Sequence, residues 1–233
     1  MKFNYVLSVV IYTGLTFGAT PSQAAVMSLF DYAYNIDGVL TSAPNPTPPG
    51  VNGAGFNYST GLGTITYSFN TPGSHFAGLF VDIEIDEATN TFFNEYGTPV
   101  GAPVAGQSWE IDEPGFVFGN IYTNFAGSNA TASLLDNSNG VPLASPDDVS
   151  MAMGWNFLLS ASESALISFN LSTIAPTSGF YLQHTDPASS ASVYFSSQVT
   201  FIPTGNGSVP EAPTLALIGI ALVGMHLSRR KAA

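Results

Sequence analysis

The sequence predicts an all-β domain, an antiparallel β-sandwich or jelly roll, carried between an N-terminal signal peptide and a single C-terminal transmembrane helix. Three observations predict the domain. About nine or ten short runs rich in aromatic and β-branched residues follow one another, separated by Gly, Pro, Asn and Ser. Several of these runs alternate strictly, with Ile167, Phe169 and Leu171 set between Ser168 and Asn170. That pattern gives a strand one buried and one wet face. No run inside the domain keeps a convincing helical period.

In chain order, residues 26–36 read as a first strand, and 42–55 as a Pro- and Gly-rich loop barred from a central strand. Residues 64–69 and 76–85 are strands, with the turn Thr71-Pro72-Gly73 between them. Shorter strands are predicted at 91–96, 108–111 and 116–125. A Ser-, Asn- and Gly-rich stretch covers 127–146. Strands at 150–159, 165–171, 179–184 and 193–202 complete the domain.

The ends are set by charge. All four Lys and Arg lie outside residues 3–228, at Lys2, Arg229, Arg230 and Lys231. Lys2, the apolar stretch 6–19 and the small-x-small pair Ser22 and Ala24 make a signal peptide over 1–24, cut by signal peptidase. The ectodomain then spans 25–202, and a flexible tether covers 203–208. From Ala212 to Leu227 the chain is apolar, and Arg229, Arg230 and Lys231 follow. Sixteen helical residues reach about 24 Å, close to a bilayer's hydrocarbon layer of roughly 30 Å. The basic tail would remain cytoplasmic, which places the domain across the inner membrane.

Val209, Pro210 and Glu211, then a short apolar helix, then Arg229-Arg230-Lys231 resemble the PEP-CTERM sorting signal of Gram-negative bacteria. Ala212 stands where that family has a third-position Pro, with Pro213 one residue later. The resemblance implies that an exosortase recognises residues 209–233 and that the protein passes from a membrane-anchored intermediate to the cell surface or extracellular matrix. It further implies a structural or adhesive role beside exopolysaccharide. Within the domain, TFFNEYG, QSWEIDEPGFVFGNIY, DDVSMAMGWNF and GFYLQHTDP resemble stretches shared among PEP-CTERM proteins, which implies a common domain without an activity.

The domain between the ends is acidic. Of 16 acids, all but Glu211 lie between Asp31 and Asp186. With no base among them, no Lys/Arg–carboxylate salt bridge forms there, and the negative field disfavours nucleic acid and anionic lipid. There is no cysteine, so packing and hydrogen bonds hold the exported fold together.

Asp82, Glu84 and Asp86 alternate along one run, which puts their carboxylates on one face about 7 Å apart. Glu110 and Asp112 form a second group beside Glu113. If the two meet, their oxygens suit Ca²⁺, a hard cation that takes carboxylate and carbonyl ligands. The other reading is a solvated outer strand face beside an acidic turn. Asp136 to Gly140 lacks the EF-hand glycine position and reads as turn chemistry, and Asp147 and Asp148 read as a loop cap, with a contribution to a ligand set as the alternative. No GxSxG elbow and no HExxH occur, so no catalytic residue is assigned and the chain is not expected to be an enzyme. Phe92, Phe93, Trp109, Phe118 and Tyr122 read first as core, with a sugar-stacking groove as the alternative. The residue-level rival to a matrix role is therefore a calcium-dependent carbohydrate-binding module.

Overall fold

The structure, a computed structural model, describes residues 25–43, 47–115 and 117–204. The signal-peptide residues Ser22 and Ala24 and the sorting residues 209–233 lie outside the described residues. Among the described residues, no helix is long and apolar enough to cross a membrane.

Among the described residues, eleven strands form two antiparallel sheets. The five-stranded sheet runs β2 (Val39–Ser42), β1 (Met27–Ile36), β5 (Gly73–Ile85), β8 (Ser150–Leu159), β7 (Gln107–Asp112). The six-stranded sheet runs β3 (Val51–Asn57), β4 (Leu62–Phe69), β9 (Glu163–Ser172), β11 (Ala191–Pro203), β10 (Tyr181–Asp186), β6 (Tyr96–Val100). The predicted sandwich is therefore the fold. Residues 51–55, expected to be part of the loop, instead open β3 (Val51–Asn57); that strand lies at a sheet edge, so the segment stays out of the centre of the sheet.

Inner faces of the sheets meet in one core. Leu79, Val81, Ile83 and Ile85 from β5 pack with Ile167, Phe169 and Leu171 from β9 and Phe195 from β11, all nearly fully buried. Each such side chain contributes about 1.5–3 kcal/mol on burial, so this cluster dominates the stability of the fold. Polar ties cross between the sheets as well. The Tyr67 hydroxyl donates to the Gly78 carbonyl at 2.7 Å, and the Trp155 indole donates to Ser197 Oγ at 3.0 Å.

The outer face of the five-stranded sheet departs from the sequence prediction. Residues 116–125 are not a strand: a short helix, α1, spans Ile121–Gly127. Asn120 precedes it without a side-chain cap, so packing rather than capping holds it. Ile121 and Phe125, four apart on one helical face, bury against Ala33, Phe80, Leu135 and Ala152. This second, smaller core roofs the sheet. It explains why β5 is buried at every position from His75 to Ile85, where a one-sided sheet would alternate. The predicted strand at 91–96 is likewise a 3₁₀ turn, Phe92–Asn94, leading into β6.

The segment after α1 returns along the free edge of β7. Asn137 N donates to the Trp109 carbonyl, Ile111 N to the Ser138 carbonyl, and Gly140 N to the Ile111 carbonyl, at 2.8–3.1 Å. The backbone of β7 is thus paired on both sides.

Candidate metal centre

The outer face of the five-stranded sheet collects buried polar side chains. In-to-out alternation puts Phe80, Asp82 and Glu84 of β5 opposite their core-facing neighbours Val81 and Ile83. The sequence placed Asp82 and Glu84 on one outward face, and the structure does so. That face is not solvated: Asp82 is 1 % exposed and Glu84 5 %.

A third carboxylate joins them from sixty residues away. The antiparallel register pairs Asp82 with Ser150, the first residue of β8. Asp148, two residues before Ser150, lies in phase with it along the chain and reaches the same side. One carboxylate oxygen each from Asp82, Glu84 and Asp148 lies within 4.8 Å of the others. Asp148 does lie in a loop, as the sequence reading favours, and its membership of this cluster is the alternative that reading leaves second. Its signal was long-range pairing, which no local pattern carries.

Four oxygens of this cluster lack donors. Asp82 Oδ1 and Oδ2, Glu84 Oε2 and Ser150 Oγ are buried and form no hydrogen bond with the protein. Burial raises the Asp82 carboxyl to about 8, with Asp148 and Glu84 adding repulsion. The nearby Ser150 hydroxyl lowers it only in part, from a position outside hydrogen-bond geometry. Burial likewise raises Glu84 to about 8, with Asp148, Glu95 and Glu87 adding to it. Asp148 rises to about 6, through burial and then the Glu95 charge. Glu95 is buried beside this group, with Oε2 hydrogen-bonded to His184 Nε2 and Oε1 unpartnered.

The other predicted ligands lie elsewhere. Asp86 leaves the alternation because β5 ends at Ile85 and Asp86 turns to φ 56°. Its Oδ1 accepts the Val26 N–H at 2.6 Å and pins the start of the domain. Glu110 shares the outer face but serves a different network. Its oxygens accept from Asn124 Nδ2 at 3.0 and 3.1 Å and from the Asp136 N–H at 3.3 Å. Asp112 Oδ2 accepts the Asn120 N–H at 2.7 Å. Burial raises Glu110 to about 7, while the Asn124 bond holds it lower than burial alone would. The two acidic groups predicted as one centre are therefore two centres.

The remaining candidates sort by their partners. His75 Nδ1 contacts Asp37 Oδ2 at 2.9 Å and its Nε2 contacts the Thr71 carbonyl at 2.7 Å, fastening a turn. Trp109 is core, as read, and Trp155 joins it there. Phe93 and Phe118 are exposed instead, and with Phe92, Pro114 and Val117 they line a cavity of about 320 Å³. Glu113, Asp147 and Asp148 complete its wall, so the cavity shares Asp148 with the carboxylate cluster.

A two-sheet acidic domain with one roofed face carries no activity in its architecture alone. Residues 208–231 match the PEP-CTERM protein-sorting motif. The chain is therefore an exported, surface-sorted protein, membrane-anchored before processing, with exosortase as its processing partner. No curated protein and no solved structure matches the chain significantly.

Proposed function

We propose that this protein serves a structural or adhesive, non-enzymatic role in an extracellular exopolysaccharide matrix. The observation that carries the reading is the sorting motif at 208–231 behind a β-sandwich. The absence of any Lys or Arg between residues 3 and 228 supports it, because a uniformly acidic, charge-repelling domain stays soluble during export and crowding. The test is the mass of the protein recovered from the cell surface, together with matrix retention in a strain lacking the gene. Loss of residues after about Glu211 and a weakened matrix are the expected results. An intact tail held in the inner membrane, or an unchanged matrix, overturns the reading.

The cavity at Phe92, Phe93 and Phe118 favours a second reading, a calcium-dependent carbohydrate-binding module. A largely apolar wall with a few convergent polar groups is the usual makeup of a small-ligand site. Sugars offer C–H faces to aromatic rings and hydroxyls to carboxylates or to a bound cation. Glycan-array binding that EDTA abolishes and that Phe93→Ala and Phe118→Ala remove would establish it. Binding that survives both changes sinks it.

A further inference from the structure

We propose that Asp82, Glu84 and Asp148, with the Ser150 hydroxyl beside them, form a divalent-cation site whose natural occupant is Ca²⁺. The site stands apart from the matrix role, and it is where the calcium of the second reading would sit. No Lys or Arg exists between residues 3 and 228 to neutralise three converging carboxylates. Acid clusters on exposed faces are common and need no cation. This one is buried, and its oxygens are orphaned.

Asp82 Oδ1 and Oδ2, Glu84 Oε2 and Ser150 Oγ have essentially no solvent contact and no donor in the protein. Glu95 Oε1, unpartnered and buried nearby, is a fifth such oxygen. Buried polar atoms in folded proteins are almost always paired, and an exception of this kind marks an ion, a water or a functional group. Five buried oxygens, with the Ser150 hydroxyl proton the one fixed hydrogen among them, leave the carboxylates either to hold protons or to share a cation.

The spacing fits calcium. Two oxygens on one Ca²⁺, at about 2.3–2.6 Å each, sit at most about 4.6–5.2 Å apart. The three carboxylates lie within 4.8 Å of one another. Two carboxylates from β5 and one from the segment leading into β8 give a centre of mixed origin, which suits the flexible coordination of Ca²⁺ better than the octahedron of Mg²⁺. Occupation would tie the end of β5 to the entry of β8, next to the cavity wall at Asp148.

The test uses the full chain in detergent, stripped with EDTA and titrated calorimetrically with CaCl₂ alone and with MgCl₂ alone. One Ca²⁺ per chain is expected, with Tm raised by roughly 5–10 °C at a hundred times Kd. Glu84→Gln and Asp148→Asn should each weaken Ca²⁺ binding at least tenfold, while Glu110→Gln leaves it unchanged. Asp148 is the least buried of the three carboxylates, so its variant keeps the test valid if a substitution at Glu84 fails to fold. No heat and no Tm change at millimolar Ca²⁺ overturns the site. So does Ca²⁺ uptake that survives both substitutions, and Mg²⁺ binding tighter than Ca²⁺ overturns the occupant. Because no saccharide is present, failure of glycan binding would leave this result untouched.

Discussion

Two groups of acids share one face of one sheet, and they are treated in opposite ways. Glu110, at the β7 end, is fully buried and has both oxygens taken by Asn124 and the Asp136 N–H. Asp82, two strands away, is as deeply buried and has neither oxygen taken. Both are buried carboxylates on one sheet; the roof differs. Helix α1 and the chain after it lay amide donors over Glu110. The covering over Asp82 and Glu84 brings another carboxylate, Asp148. Burial of an acid is therefore a structural device at one end of the face and an unfilled requirement at the other.

Substitutions break this comparison most sharply. Glu110→Ala should destabilise the protein by about 2–4 kcal/mol in chemical denaturation, since it leaves the Asn124 amide and the Asp136 N–H without an acceptor inside the fold. Asp82→Asn in EDTA should do the reverse and stabilise by roughly 1–2 kcal/mol, because it removes a buried acid that has no partner. A loss of stability at Asp82 as large as that at Glu110 would show that the two ends are alike.

The pH dependence sharpens it further. Glu110 titrates near 7 in the fold against about 4.5 in the unfolded chain, and Asp82 and Glu84 near 8. A raised acid binds more protons folded than unfolded, so its stability is complete below the unfolded value. That stability disappears as pH rises through the folded value. Metal-free protein should accordingly lose stability steadily from about pH 4.5 to pH 8. Glu110→Gln should make the fall below about pH 7 shallower and leave the stretch from about pH 7 to pH 8, which belongs to Asp82 and Glu84, unchanged. Denaturant midpoints across that range decide it, and a flat profile in the parent protein contradicts the buried-acid picture.

Smallest of all should be the effect of Phe93→Ala or Phe118→Ala on stability, within about 0.5 kcal/mol, because both rings are exposed. A larger loss in thermal melts would mean that the cavity wall is part of the core.

The contrast also shows what the sequence made legible. Period-two alternation revealed the strand at 165–171 and put Asp82 with Glu84, because alternation is written in adjacent residues. Residues 116–125 misled because Phe118, Ile121, Tyr122 and Phe125 are β-formers by type. The spacing of four between Ile121 and Phe125 was the one helical signal. Asp148 was legible only as a second choice for the cluster. Its position depends on the register of Asp82 with Ser150, and register is decided by the whole sheet. Asp86 was misplaced for the opposite reason: a left-handed residue ends the alternation, and nothing in its neighbours announces the change.

Asn137 to Gly140, hydrogen-bonded along β7, carries a last implication. A surface protein sits at high local concentration among copies of itself, where an open strand margin invites sheet-to-sheet accretion into fibres. Here that margin is already occupied by the protein's own chain. Growth by strand addition is closed on that flank, and the domain can be crowded there without templating its neighbours.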